Sequence, residues 1–482
     1  MSTPTPVINQ QLDTLNAKMD KHNALMEVMA ASALKELKEE WSELEQLASS
    51  GLFGEAYDIG TYFTDTWQDK ATTTDYTNPF QLNHIGNVEL EDGETLVNRP
   101  FLQAHYAHPF GVQFSHQRAL VMVAFKVTSA LSSGTTYYWT RQSDSKTISF
   151  KAPSAISVGQ WLTLNNGYIE IYDTNGNLAG KTAATIGTST SGTSLGNSPV
   201  FAAGNYYFTF AANWGTHVVA NDVVSFTTTD ALQFGDRLCG CYGAPDQAKT
   251  GWKIYPVTSD GKTLGTALDV GSSSSGTNLG AMGLSSRSTT GSYFLNSIHE
   301  MAYGWNRWKF SAIRQYLNSA AGVGAWWTAQ DGFDVRPDEL STKAGYLSGW
   351  SEDFVEAIKA VKVITYPNTV QDDTGGNTPD ITYDKVFLPS LEQMYINPQK
   401  AGEGEFHEYW KRRSGRSTVM GQYETYPNII TYGVDNHTSA QHVRLRSAYR
   451  GLAYYTWYVY SSGYVSYGRA SHSYRFAPLV VL

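Results

Sequence analysis

The sequence predicts an α+β chain of several domains: an N-terminal coiled-coil helix over 1–50, a connector over 51–104, a β-sandwich spacer over 105–229 and a mixed domain over 230–482. Three observations carry this reading. At 482 residues the chain exceeds the roughly 250–300 at which a single hydrophobic core stops growing. Before Ser49 the apolar residues recur at coiled-coil spacing. After Gln103 they come in short runs separated by turn residues.

From Val7 to Ser49 there is no Gly or Pro, and Ile8, Leu12, Leu15, Met19, His22, Met26, Met29 and Ala33 alternate steps of four and three. That is a heptad seam, which buries little on one helix and calls for partner helices winding around it. His22 on the seam would select register. After Ala33 the phase shifts to Leu34, Leu37, Trp41 and Leu44, a slip in the seam or the start of packing onto the chain's own body. Self-association is the reading adopted, as a homotrimer, with intramolecular docking of one amphipathic helix as the alternative. Gly51 and Gly54 end the helix, and Asp58 to Asn98 shows no long period.

Between Gln103 and Asp230 short runs such as Ala119–Val127, Thr147–Phe150, Tyr168–Tyr172 and Tyr206–Ala211 read as strands. Asn165-Asn166-Gly167 and Asp173-Thr174-Asn175-Gly176 read as hairpin turns, because Asn and Gly accept positive φ cheaply. Further on, Ser297–Ser319 and Ser351–Val361 read as helices, and the last hundred residues return to strands around Phe387, Val443–Leu445, Trp457–Tyr460, Tyr464–Tyr467 and Leu479–Leu482.

Composition excludes several classes. A formal net charge of -9 leaves no positive field for phosphate, and no basic stripe occurs beyond Lys411-Arg412-Arg413, so nucleic acid is not an expected partner. No run approaches the ~18 apolar residues of a membrane span, and Met1 to Pro6 does not read as a secretion signal, so no membrane partner is expected. The two cysteines, Cys239 and Cys241, are spaced too closely for an unstrained disulfide in an extended strand and lack partners for a metal site.

Chemistry concentrates near the C-terminus. Eight tyrosines fall between Tyr449 and Tyr474, where average usage gives about one. A core cannot absorb so many phenols, because each buried hydroxyl needs a partner and an unmet one costs roughly 1–3 kcal/mol. Tyrosine mixed with Ser, Gly, Arg and His supplies large rigid contact area with adaptable hydrogen bonding, which is the vocabulary of binding surfaces. Against this stands the plain reading that half of these tyrosines shield a sheet.

The ordered segments Trp305-Asn306-Arg307-Trp308-Lys309-Phe310, Asp384-Lys385-Val386-Phe387-Leu388-Pro389-Ser390-Leu391, Val443-Arg444-Leu445-Arg446-Ser447-Ala448 and Arg475-Phe476-Ala477-Pro478 give the chain a further likeness. From about Asp230 to Leu482 it resembles the C-type-lectin-fold variable proteins of diversity-generating retroelements, found on phage tails and bacterial surfaces. The resemblance implies a C-type-lectin-like C-terminal domain and a hypervariable ligand-binding set: Tyr449, Leu452, Tyr454, Tyr455, Tyr458, Tyr460, Tyr464, Ser466, Tyr467, Gly468, Arg469, His472 and Tyr474. All thirteen are residues that an Asn codon with altered adenines can encode. Trp305, Trp308, Phe387, Leu388, Leu445 and Trp457 would be core. Arg314 and Arg446 read as buried or half-buried arginines tying loops through carboxylates or carbonyls.

The resulting expectation is a phage virion protein, on the tail, that binds a bacterial surface protein or glycan for host attachment and meets other virion proteins through its N-terminal region. A cellular surface adhesin is the alternative. An enzyme of the formylglycine-generating type is a third reading, which would place chemistry on Cys239 or Cys241. No catalytic residue, cofactor or metal is expected: the carboxylates Glu392, Glu403, Glu405, Glu408 and Asp435 are candidates only by abundance, and the Asp- and Asn-rich loops lack the bidentate Glu of a calcium loop.

Overall fold

A computed structural model of the chain describes residues 18, 40–117, 120–121, 125–140, 145–165, 168–172, 178–197, 200–201, 203–210, 219–229, 232–233, 238–241, 253–256, 268–282, 303–330, 334–369, 376–414 and 427–482. The heptad positions Ile8 to Ala33 and the turns at Asn166 and Asp173 to Gly176 lie outside the described residues.

The described part is built mainly of antiparallel strands. The stretch read as a connector supplies three of them, Tyr62–Asp69, Thr74–Glu89 and Thr95–Ala104, joined as an antiparallel meander whose second pairing shifts register between Leu82 and His84 and again between Gly86 and Val88. The last strand of the chain, Leu479–Val481, pairs with Thr95–Ala104, and Val386–Phe387 closes the other edge. The two ends of the described sequence therefore share one five-stranded sheet. Phe80, Leu82, Leu102 and the run Leu479–Leu482 are buried in one core with Trp308, Ile313, Tyr316, Phe354 and Phe476.

A seven-stranded sheet occupies the middle of the chain, from Phe125–Lys126 to Thr193–Asn197, with all but the last pairing antiparallel. Its own core comprises Trp139, Ile148, Phe150, Leu162, Ile169 and Ile171. Alternation explains the placement: along Thr136–Thr140, Tyr137 and Trp139 are buried while Thr136 is exposed. A four-stranded sheet, which includes Gly204–Phe210 and Val223–Thr228, follows it.

The predicted α+β class with an N-terminal coiled-coil helix and a C-type-lectin-like C-terminal domain is not what these residues form. Among the described residues no α-helix exceeds the nine residues of Trp41–Ser49, and the class is mainly β. The physical reason is visible at that helix. Its apolar face, Trp41, Leu44, Leu47 and Ala48, is buried in the chain's own core, with the Trp41 ring edge-on to Phe354 at 4.8 Å and to Phe80 at 5.8 Å. Trp41 also donates its backbone N–H to Asp353 Oδ2 at 2.7 Å and its indole N–H to Asp65 Oδ2 at 2.8 Å. A face so occupied has nothing left for a partner helix. Of the helix expected over Ser297–Ser319 the residues before Tyr303 lie outside the described ones, and from Arg307 onward it forms a 3-10 turn, Trp308–Phe310, and the helix Ala312–Leu317. The helix expected over Ser351–Val361 is Glu352–Ala357, and both α-helices are capped by a serine hydroxyl, Ser311 and Ser351, that accepts from the backbone N–H three residues on.

Candidate functional site

The tyrosine-rich segment folds as a three-stranded antiparallel sheet, Val443–Ala448, Tyr455–Val459 and Val465–Arg469. The last two are joined by a turn in which Tyr460 N–H donates to Tyr464 O at 2.7 Å and Gly463 takes φ +81. Cross-strand partners share a face, so register fixes the two surfaces. Trp457 faces Tyr467 and Tyr455 faces Arg469 on one side; Tyr458 faces Ser466 and Thr456 faces Gly468 on the other.

The inner face is mostly core. Leu445, Trp457, Val459 and Val465 pack with Leu391, Met394, Ile396 and Trp410. At its rim Tyr449, Tyr455 and Tyr467 form a half-buried ring cluster, with centroids 4.2 Å apart for Tyr449 and Tyr467 and 5.1 Å for Tyr455 and Tyr467. Tyr454 is buried 4.4 Å from Tyr455 and 5.3 Å from Tyr303, and the Arg469 guanidinium lies 4.0 Å from the Tyr303 ring centre.

The outer face carries the second cluster. Tyr458 and Tyr474 lie 4.6 Å apart, and Tyr460, exposed at 40%, lies 5.7 Å from Tyr458. His442 completes it, with its ring 3.9 Å from Tyr460, 5.7 Å from Tyr474 and 5.8 Å from Tyr458. His472 Nδ1 is 3.1 Å from the Tyr474 hydroxyl. Leu452 and Tyr464 sit half-buried in the loop and the turn beside these groups. The thirteen expected residues thus converge on one small sheet, but divide between its two faces.

Buried side chains hold this backbone in place. Arg444 is fully buried; it donates to Thr456 Oγ1, to His472 O at 2.6 Å and to Arg469 O at 3.1 Å, and its guanidinium lies 4.6 Å from the Tyr474 ring centre. Burial lowers its pKa to about 10, which leaves it charged at neutral pH. Arg446, equally buried, donates to Leu388 O at 2.7 Å, to Gln393 Oε1 and to Glu403 O, the carbonyl-tying role anticipated for it. Arg314 donates to Asp384 Oδ1 at 2.6 Å. Asn306 lies at the centre of the Tyr449–Tyr455 loop. Its amide Nδ2 is within 3.1, 2.8 and 2.7 Å of the carbonyls of Tyr449, Leu452 and Tyr455.

Two close approaches need glycine. A Cβ on Gly111 would stand 1.9 Å from Ser473 O, so the close approach of the segment before Phe114 to the Ala470–Phe476 stretch leaves no room for a side chain there. A Cβ on Gly468 would meet Tyr474 Cε2 at 2.8 Å and Tyr458 Cε1 at 3.0 Å, so this small residue sets how closely the two rings pack.

The cluster stays uncharged near neutrality apart from its arginines. Burial raises the Tyr454 and Tyr458 phenols well above their usual range, with neighbouring tyrosines adding to it. Desolvation lowers His442, and lowers His472 to about 4 with help from Arg469 and Arg444.

Sequence reasoning missed His442, Tyr303 and the role of Asn306. His442 could have been found by pairing Val443–Leu445 against Trp457–Tyr460, which sets it opposite Tyr460 on the outer face. Of the expected core set, Trp308, Phe387, Leu388, Leu445 and Trp457 are buried, while Trp305 is half-exposed and stacks on Phe310 at 5.4 Å. Among the described residues no three His, Cys, Asp or Glu side chains are grouped to hold a metal ion, and no helix is long and apolar enough to cross a membrane.

Residues 284–482, which contain the whole of this sheet and the segments that brace it from Tyr303 onward, match the family described as Domain of unknown function (DUF6273). No curated protein and no solved structure matches the chain.

Proposed function

We propose that this chain is a ligand-binding protein of the kind that diversity-generating retroelements vary, and that it serves a phage tail in attachment to a bacterial surface ligand. The observation that supports it most is that eight closely spaced tyrosines, with His442 added, gather around one three-stranded sheet whose backbone is held by buried Arg444 and Asn306. A firm scaffold under adaptable side chains is what a variable binding surface needs. The rings are already packed on one another, so little rotamer freedom is lost when a ligand arrives.

The test is cell binding by the labelled full-length protein across a panel of bacterial strains. Wild type should mark a subset of strains, and Tyr460→Ala, at an exposed ring, should weaken that binding by about tenfold with folding intact. Equal binding by both proteins would remove the surface from consideration. The retroelement reading has its own test: a near-copy of the 3′ end of the gene, differing only at adenines, should lie close to the gene, and its absence would leave a fixed adhesin.

A further inference from the structure

We infer that the outer face of the sheet, centred on His442, takes a neutral sugar residue of a bacterial glycan; this rests on the binding-surface reading above. Three features of the face select that ligand. The first is aromatic surface without aliphatic side chains: Tyr460 is exposed and Tyr474 and His442 are half-exposed, all three backed by the buried ring of Tyr458. The C–H face of a pyranose carries slight positive charge and suits the negative face of an aromatic ring, whereas a protein anchor of Leu or Ile type finds no aliphatic pocket here.

The second feature is unused hydrogen-bonding capacity. His442 is half-exposed, and among the described residues nothing hydrogen-bonds to its ring nitrogens, although three tyrosine rings surround it. A neutral imidazole offers one donor and one acceptor, which is what a sugar hydroxyl pair can satisfy together. The third is charge. Among the described residues the cation against this face is Arg444, fully buried with its Nη donors directed to Thr456 Oγ1 and two carbonyls, and no carboxylate joins the ring cluster. A basic ligand would be desolvated here without a counter-charge, and an acidic one would meet only a buried guanidinium whose Nη donors are already taken, whereas a neutral one needs neither.

The experiment uses polysaccharide isolated from a strain that the wild-type protein binds, freed of protein by proteinase K and immobilised. Wild type should bind this surface. His442→Phe, which keeps a ring in the stack and removes both nitrogens, should bind about tenfold more weakly. Wild type that binds the cells but not their polysaccharide overturns the glycan ligand and leaves the binding surface standing. Undiminished polysaccharide binding by His442→Phe overturns the assignment of His442. Undiminished cell binding by Tyr460→Ala is the separate failure of the surface reading itself.

Discussion

Asn306 shows how one buried amide can fix a loop without using the side chains of that loop. It is fully buried, its backbone N–H donates to Ala453 O at 2.9 Å, its Oδ1 accepts from Asn368 Nδ2 at 3.0 Å, and its Nδ2 serves three loop carbonyls. None of those loop contacts uses a loop side chain, so Tyr449, Leu452 and Tyr455 can change without altering the clamp. Asn306→Ala leaves several buried polar groups unmet and should destabilise the protein by about 1–3 kcal/mol. Asn306→Asp should be worse, because a carboxylate would then face three carbonyl oxygens. Urea midpoints measure the stability change, and amide hydrogen exchange over residues 449–455 should rise more than exchange in the strand Thr95–Ala104. Uniform acceleration everywhere would mean that Asn306 supports the fold at large and not this loop.

At the scale of elements, what could be read in advance followed from short-range signals. The hairpin strands expected at Trp457–Tyr460 and Tyr464–Tyr467 form at Tyr455–Val459 and Val465–Arg469, because alternation and the Ser461-Ser462-Gly463 turn are local. The division of the tyrosines between two faces was implicit in the same alternation. The pairing of Thr95–Ala104 with Leu479–Val481 was not readable, since no local pattern announces a partner almost four hundred residues away. At Trp41 and Leu44 the sequence left two readings, a slip in the seam or packing onto the chain's own body, and the helix Trp41–Ser49 takes the second; an apolar stripe states that a face is buried but not against what. Its docking makes a direct prediction. Trp41→Ala should lower stability by about 3–5 kcal/mol, as for other buried tryptophans, read as a urea midpoint that does not vary with protein concentration. A midpoint that rises with concentration would instead place the stabilising contact between chains.

For the whole molecule, the decisive titratable groups are histidines closed inside it. His108 is buried against Trp67, Phe110 and Phe476, with Nε2 3.1 Å from the Tyr316 hydroxyl, and burial, then Lys343 and Arg475, holds its pKa well below the usual value. His407, stacked on His84 at 5.2 Å and facing Phe101, is held down in the same way by burial, then His84 and Arg446. Both are neutral in the folded state, while in the unfolded chain each takes a proton below about pH 6.5. The unfolded state therefore binds more protons on acidification, and the stability present above pH 6.5 is lost as pH falls toward the depressed folded values, by about 1.4 kcal/mol per pH unit for each group. Burial raises the carboxyls of Glu339 and Glu403, which works in the opposite sense, so the histidine contribution is read by difference. Stability measured in urea at pH 7.5 and pH 5.5 should fall more steeply for wild type than for His407→Phe or His108→Phe, whatever their absolute stabilities. Parallel slopes would mean that these rings take up protons without unfolding. On the outer face of the small sheet, desolvation lowers His442 and, with Arg469 and Arg444, lowers His472 to about 4, so both rings are neutral near pH 7. Binding at the proposed face should therefore hold from pH 7.5 to pH 7, and where it weakens at lower pH the loss should be smaller for His442→Phe, which has no ring nitrogen to take up a proton; equal losses in both proteins would assign the effect to the scaffold.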